Sequence, residues 1–192
     1  MMINEARLRS LIRETLESDA GADESTEEEE YGALSAGNKW LGEIPAGILT
    51  TCSSKPITGV RDTSRDCTSA HKPAGLWYAD GVEWIDWMRY EMPAWLDKVN
   101  YVYRISPAAS VLKLKTPQAI RTFHNKYGSR DRWMIRWDAV ADEYDGVEII
   151  PYQRELRNSD ISWYYTWDVA SGCIWRPSGI AELELIAKRP GL

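Results

Sequence analysis

The sequence predicts an α+β fold. Strand signals of period two number about six or seven, helical signals of period 3.6 about three or four, and the two kinds do not alternate as βαβ units. A second observation is the stretch Lys72–Trp95, where a short apolar run passes directly into an aromatic helix. A third is length: 192 residues bury one full core and are too few for two large domains.

The first 35 residues read as a separate segment. Leu8, Leu11, Ile12 and Leu16 recur at helical spacing among Arg7, Arg9 and Arg13, which predicts a short amphipathic helix. Residues 17–34, with Glu27-Glu28-Glu29-Glu30, hold too little apolar surface to offset the entropy of ordering. The expected organisation is therefore an amphipathic peptide and a disordered acidic tether over 1–35, then a single α+β domain over 36–192.

Within that domain, Gly47–Ser54 reads as a strand ending in small hydroxyl residues, and Thr58–His71 as a polar loop. Gly75-Leu76-Trp77-Tyr78-Ala79 reads as a buried strand. Asp80, with Glu83 three residues on, fits a capping box for a helix that Pro93 ends. Tyr101–Ile105 and Val111–Lys115 alternate as strands. Thr116-Pro117 opens a further helix, with Ile120, Phe123 and Tyr127 on its buried face, His124 beside them and Gly128 as its stop. A short helix over Trp137–Tyr144 and a strand over Val147–Ile150 follow. Ser162–Val169 and Cys173–Trp175 read as an aromatic hairpin, and Ala181–Ile186 as a last strand.

Composition bounds the chemistry. A net charge of −6, concentrated in the first 35 residues, argues against general nucleic-acid affinity. Ten Trp and ten Tyr against one Phe favour rings with a polar handle, the kind that lines pockets and interfaces. Three cysteines without CxxC spacing and two histidines indicate neither a disulfide framework nor a metal centre, so a reducing cytoplasm and no metal are expected. No apolar run approaches the ~20 residues of a membrane span.

The candidate site residues follow from position. Ser53 and Ser54 close the first strand, where hydroxyl and backbone N–H groups bind anions. Arg61 and His71, in the loop, are with Arg65 and Lys72 either a phosphate-facing cluster or ordinary solvent-exposed charges. Trp77 and Tyr78 stand at the strand-to-helix junction. Glu148 interrupts an apolar strand; it either faces outward by alternation or is a buried carboxylate that needs a partner.

This order of residue types resembles the ADP-ribosyltransferase superfamily, and the resemblance covers residues 47–186. It implies a small split antiparallel sheet that binds NAD as substrate in a cleft, without a metal. Carried over residue by residue, it makes Glu148 and Tyr78 catalytic and gives Thr51, Ser53, Ser54, Arg61, His71, Gly75 and Trp77 to the cofactor. Thr51 stands where the family carries Arg or His, which moves that contact to Arg61 or His71. Glu182-Leu183-Glu184 supplies a second candidate carboxylate in Glu184, and Glu148 is preferred because the arginine-modifying branch continues with further strands after its E-x-E. The opening residues resemble a leader found on bacteriophage proteins, and Ile12-Arg13-Glu14 matches the I-x-E pattern cut by phage prohead proteases. The expected function is thus an NAD-dependent, phage-encoded transferase modifying a host protein or nucleic acid in the host cytoplasm. Two alternatives stand beside it: a phage binding or inhibitor protein with a Trp/Tyr-rich surface, and a protein packaged in the virion.

Overall fold

The computed structural model describes residues 39–41, 44 and 47–192. The expectations for residues 1–35 lie outside them. Among the described residues the domain is a mixed α/β fold of one large sheet, one two-stranded ribbon and four helices. The strands are β1 (Leu49–Ser53), β2 (Ser69–Ala70), β3 (Leu76–Asp80), β4 (Tyr101–Pro107), β5 (Val111–Lys113), β6 (Ile135–Arg136), β7 (Gly146–Ile149), β8 (Ser171–Ile174) and β9 (Ile180–Lys188). The helices are α1 (Glu83–Glu91), α2 (Pro93–Leu96), α3 (Pro117–Tyr127) and α4 (Trp137–Ala141).

Seven strands run in the order β5-β7-β8-β3-β1-β4-β9, and β2 pairs with β6. All neighbours are antiparallel except β5 and β7, which are parallel. The antiparallel sheet that the resemblance implies is thus departed from at this edge. Residues 114–145 separate the two strands, long enough for a crossover that carries α3 and α4.

Connectivity forces the sheet to curl. Strands β4 and β5 stand five places apart in the order, about 24 Å if flat, yet Ala108–Ser110 alone connect them. An extended link of that length reaches at most ~14 Å. The closing contact is the Ala108 N–H donating to the Gly179 carbonyl at 2.8 Å. Inside the curl, Tyr78, Ile105, Val111 and Ile174 pack with Leu76, Ile180 and Leu183 from both halves of the sheet.

The opposite face of β3, β7 and β8 carries the main core. Trp137, Trp163, Trp167 and Trp175 are fully buried there with Phe123, Val147 and Ile149. Three of these four indole N–H groups find partners: Trp137 donates to the Ala70 carbonyl at 3.0 Å, Trp175 to that of Tyr144 at 2.7 Å and Trp163 to His124 Nδ1 at 3.3 Å, while that of Trp167 has none among the described residues. Burying the ring while hydrogen-bonding its one donor is what Trp offers over Phe.

Helix α3 forms as its local chemistry demands. The Thr116 hydroxyl accepts the Ala119 N–H at 3.2 Å, Pro117 occupies the first turn, and the helix stops before Gly128. Helix α1 differs from expectation. Its N-cap is Val82 without a side-chain cap, because Asp80 accepts the Gly47 N–H at 2.7 Å and Glu83 accepts the Ala170 N–H at 2.8 Å. Both carboxylates tie down other segments instead.

The aromatic hairpin is also corrected. Only Ser171–Ile174 is a strand, while Ser162–Thr166 is a 3-10 turn. Trp163, Tyr164 and Trp167 are buried in the aromatic core all the same, so burial of these rings does not require the strand that their sequence suggests.

Candidate functional site

Glu148 is buried at 5% exposure and does have a partner. In the sheet register Tyr78 stands opposite Gly172, Gly172 opposite Glu148, and Glu148 opposite Lys113. Residues in register share a face, so the row projects into the curl. Gly172 leaves the space that the row needs: a Cβ there would meet Tyr78 Cζ at 2.3 Å. The phenol ring therefore lies across β8, and its hydroxyl donates to Glu148 Oε2 at 3.0 Å. Lys113 Nζ stands 3.6 Å from Oε1, half exposed, and links the inner carboxyl group to the surface. Burial, and next the charge of Glu148, hold the Tyr78 phenol well above its ordinary range, so it remains a donor at neutral pH.

A second feature adjoins β3. Strands β1 and β3 pair only at Leu49↔Asp80 and Thr50↔Ala79. Beyond that point β1 follows β4 and β3 follows β8, so the sheet splits. Thr51, 3% exposed, spans the parting by donating from Oγ1 to the Trp77 carbonyl at 2.7 Å. At the mouth lies a hollow of about 350 Å³ lined by Ser53, Lys55, Thr58, Arg61, Gly75 and Leu76. The loop that roofs it is pinned by the Ile57 N–H donating to the Tyr103 hydroxyl at 2.9 Å and the Thr63 N–H donating to the Trp175 carbonyl at 2.8 Å. Ser53 Oγ donates to the Lys55 carbonyl at 2.6 Å, and the Arg61 guanidinium is paired with Asp66.

The structure thus gathers Ser53, Arg61 and Gly75 at the hollow, and Tyr78 with Glu148 inside the curl. Thr51 sits between the two groups with its hydroxyl committed to backbone. The remaining candidates lie elsewhere. Trp77, as the neighbour of Tyr78 on a strand, faces the opposite way and packs on Trp167 at 4.9 Å between ring centroids. Its expected place beside Tyr78 at a ligand is corrected by that alternation. Tyr78 itself is only 2% exposed, with its hydroxyl engaged as donor to Glu148. Ser54 lines a different cavity of about 300 Å³ with Trp84, Trp95 and Lys98. His71 follows β2 and is not among the residues that line the hollow. Glu184 is exposed and paired with Arg104 on the outer edge.

Sequence reasoning missed a wider cleft of about 840 Å³ between α1 and the segments Pro151–Arg157 and Asp168–Val169. Its helical wall is Glu83, Asp86, Trp87, Tyr90 and Glu91, a stripe at offsets 3, 4, 7 and 8. That stripe was present as a pattern, but the apolar side of the helix, where Ile85 and Met88 are buried, drew the reading. Asp168, at the floor, is held by Lys72 at 3.2 Å and Arg157 at 3.5 Å.

Among the described residues no three His, Cys, Asp or Glu side chains cluster as a metal site, and no helix is long and apolar enough to cross a membrane. In comparisons with known proteins, no family model, no curated protein and no solved structure matches this chain.

Proposed function

We propose that the chain is an NAD-cleaving ADP-ribosyltransferase acting on a host protein or nucleic acid, with Glu148 as its charge-stabilising group. The observation that carries this reading is the Tyr78 hydroxyl donating to Glu148 Oε2 at 3.0 Å inside an apolar curl. A carboxyl group fixed in low-dielectric surroundings stabilises positive charge far more than one in water.

The reaction needs that property. The bond between nicotinamide and ribose breaks with its electron pair leaving on nicotinamide, and positive charge builds on the sugar. The acceptor's nucleophile then bonds to the sugar carbon and loses its proton. A prefixed negative group favours that transition state over the neutral sugar of the ground state. Ser53 and Arg61 stand at the hollow that would take the phosphates, the Ser53 hydroxyl held there by the Lys55 carbonyl and the Arg61 guanidinium by Asp66. Strand β3 borders the hollow and β7 carries Glu148, two strand spacings or about 10 Å away, and Glu148 is not itself among the residues that line the hollow.

The test is release of nicotinamide from NAD by the purified chain, with and without a cell extract as acceptor source. Glu148→Gln is expected to lower the rate by about 10²-fold or more, with an unchanged far-ultraviolet circular dichroism spectrum. Full turnover in that variant, or no NAD consumption by the parent chain with extract present, ends the reading.

A further inference from the structure

Beyond that reading, and independent of it, we propose that the 840 Å³ cleft beside α1 is a docking groove for a polypeptide segment carrying arginine or lysine. The cleft combines what a cation recognises: the ring faces of Trp87 and Tyr90 on α1, bracketed by the carboxylates of Glu83 and Glu91.

Of these groups Glu83 is tied by one oxygen to the Ala170 N–H, while Tyr90 and Glu91 have no hydrogen-bond or ion-pair partner among the described residues. Elsewhere the chain covers rings with its own cations, as Lys72 does over Trp77 at 5.6 Å and Arg157 over Tyr165 at 5.2 Å. Among the described residues no such cation stands over Trp87 or Tyr90, and neither Glu83 nor Glu91 has an ion pair. The other acids of the cleft are already neutralised, Asp86 by Arg89 and Asp168 by Lys72 and Arg157. Net unmet charge on the helical wall is therefore negative. Tyr90 is 67% exposed, so its ring is open to a partner at the cleft.

The facing wall sets the orientation. Arg157 is engaged by the Tyr152 hydroxyl at 3.2 Å as well as by Asp168, whereas Arg154 is exposed and unpaired among the described residues. The bound segment lays its cationic side chain on α1 and turns a backbone carbonyl or a carboxylate toward Arg154. Stacking of Trp84 on Trp87 at 5.2 Å holds the indole wall upright, so the surface is formed before the partner arrives.

The experiment is fluorescence anisotropy of a dye-labelled arginine-glycine repeat peptide titrated with the full chain at low salt. Binding is expected, and the exposed replacements Tyr90→Ser and Glu91→Lys should each weaken it about fivefold, while Arg61→Ala at the other hollow leaves it unchanged. Both altered side chains are on the surface of α1, so folding is retained and a melting curve verifies it. Equal binding by the α1 variants, equal binding of an aspartate-glycine peptide, or displacement by a free mononucleotide would overturn the proposal.

Discussion

At the scale of single residues the decisive position is Gly172. Tyr78 and Glu148 are 70 residues apart, and they meet only because the residue between them in the sheet has no side chain. Gly172→Ala is expected to push the Tyr78 ring off the carboxyl group and to destabilise the domain by about 1–3 kcal/mol, measured by urea unfolding. Tyr78→Phe removes only the hydroxyl and leaves the Glu148 carboxyl group buried without that donor; a loss of about 1–3 kcal/mol is expected from the unmet group. Alternation along β7 told from sequence that Glu148 opposes Val147 and Ile149, but not which side was interior. Both sides are: Val147 and Ile149 enter the aromatic core, and Glu148 enters the curl. A strand buried on both faces erases the usual link between opposite pointing and solvent.

Among the elements, what was legible depended on how local the cause was. Helix α3 was readable because Thr116, Pro117 and Gly128 act within a turn of themselves. Thr116→Ala is expected to cost about 1 kcal/mol, read as a lowered melting temperature. The cap of α1 was misread because Asp80 and Glu83 serve partners 33 and 87 residues away, Gly47 and Ala170. Windowed patterns do not contain such partners. The same holds for the parting of β1 from β3: each strand was recognisable, while the choice of β4 and β8 as later neighbours rests on long-range packing. Ser53, Arg61 and Gly75 were singled out by residue type, and only that parting brings them to one hollow.

For the whole molecule, protonation couples to folding at alkaline pH. Burial pushes the Cys52 thiol from 9.0 to about 12 and also raises the Cys67 and Cys173 thiols and the Tyr78 phenol. These groups stay protonated in the folded chain, while the unfolded chain releases its protons above its own lower pKa values. Their contribution is therefore complete below about pH 9 and declines as pH rises toward 12, by up to ~1.4 kcal/mol per pH unit for each group. Chemical unfolding between pH 8 and 11 checks the sign. Stability at neutral pH rests instead on the aromatic interior: Trp137→Ala is expected to cost about 3–5 kcal/mol, because its ring meets Phe123, Trp163, Trp167 and Trp175 within 6.4 Å between centroids.

That crowding of indoles has an optical consequence. Trp77, Trp137, Trp163, Trp167 and Trp175 are linked by centroid distances of 4.9 to 6.4 Å, close enough for their electronic transitions to mix rather than absorb singly. The native chain is therefore expected to show a paired positive and negative band in its ultraviolet circular dichroism, with an amplitude that tracks how these rings are angled. Any event that tilts one ring registers there without a label.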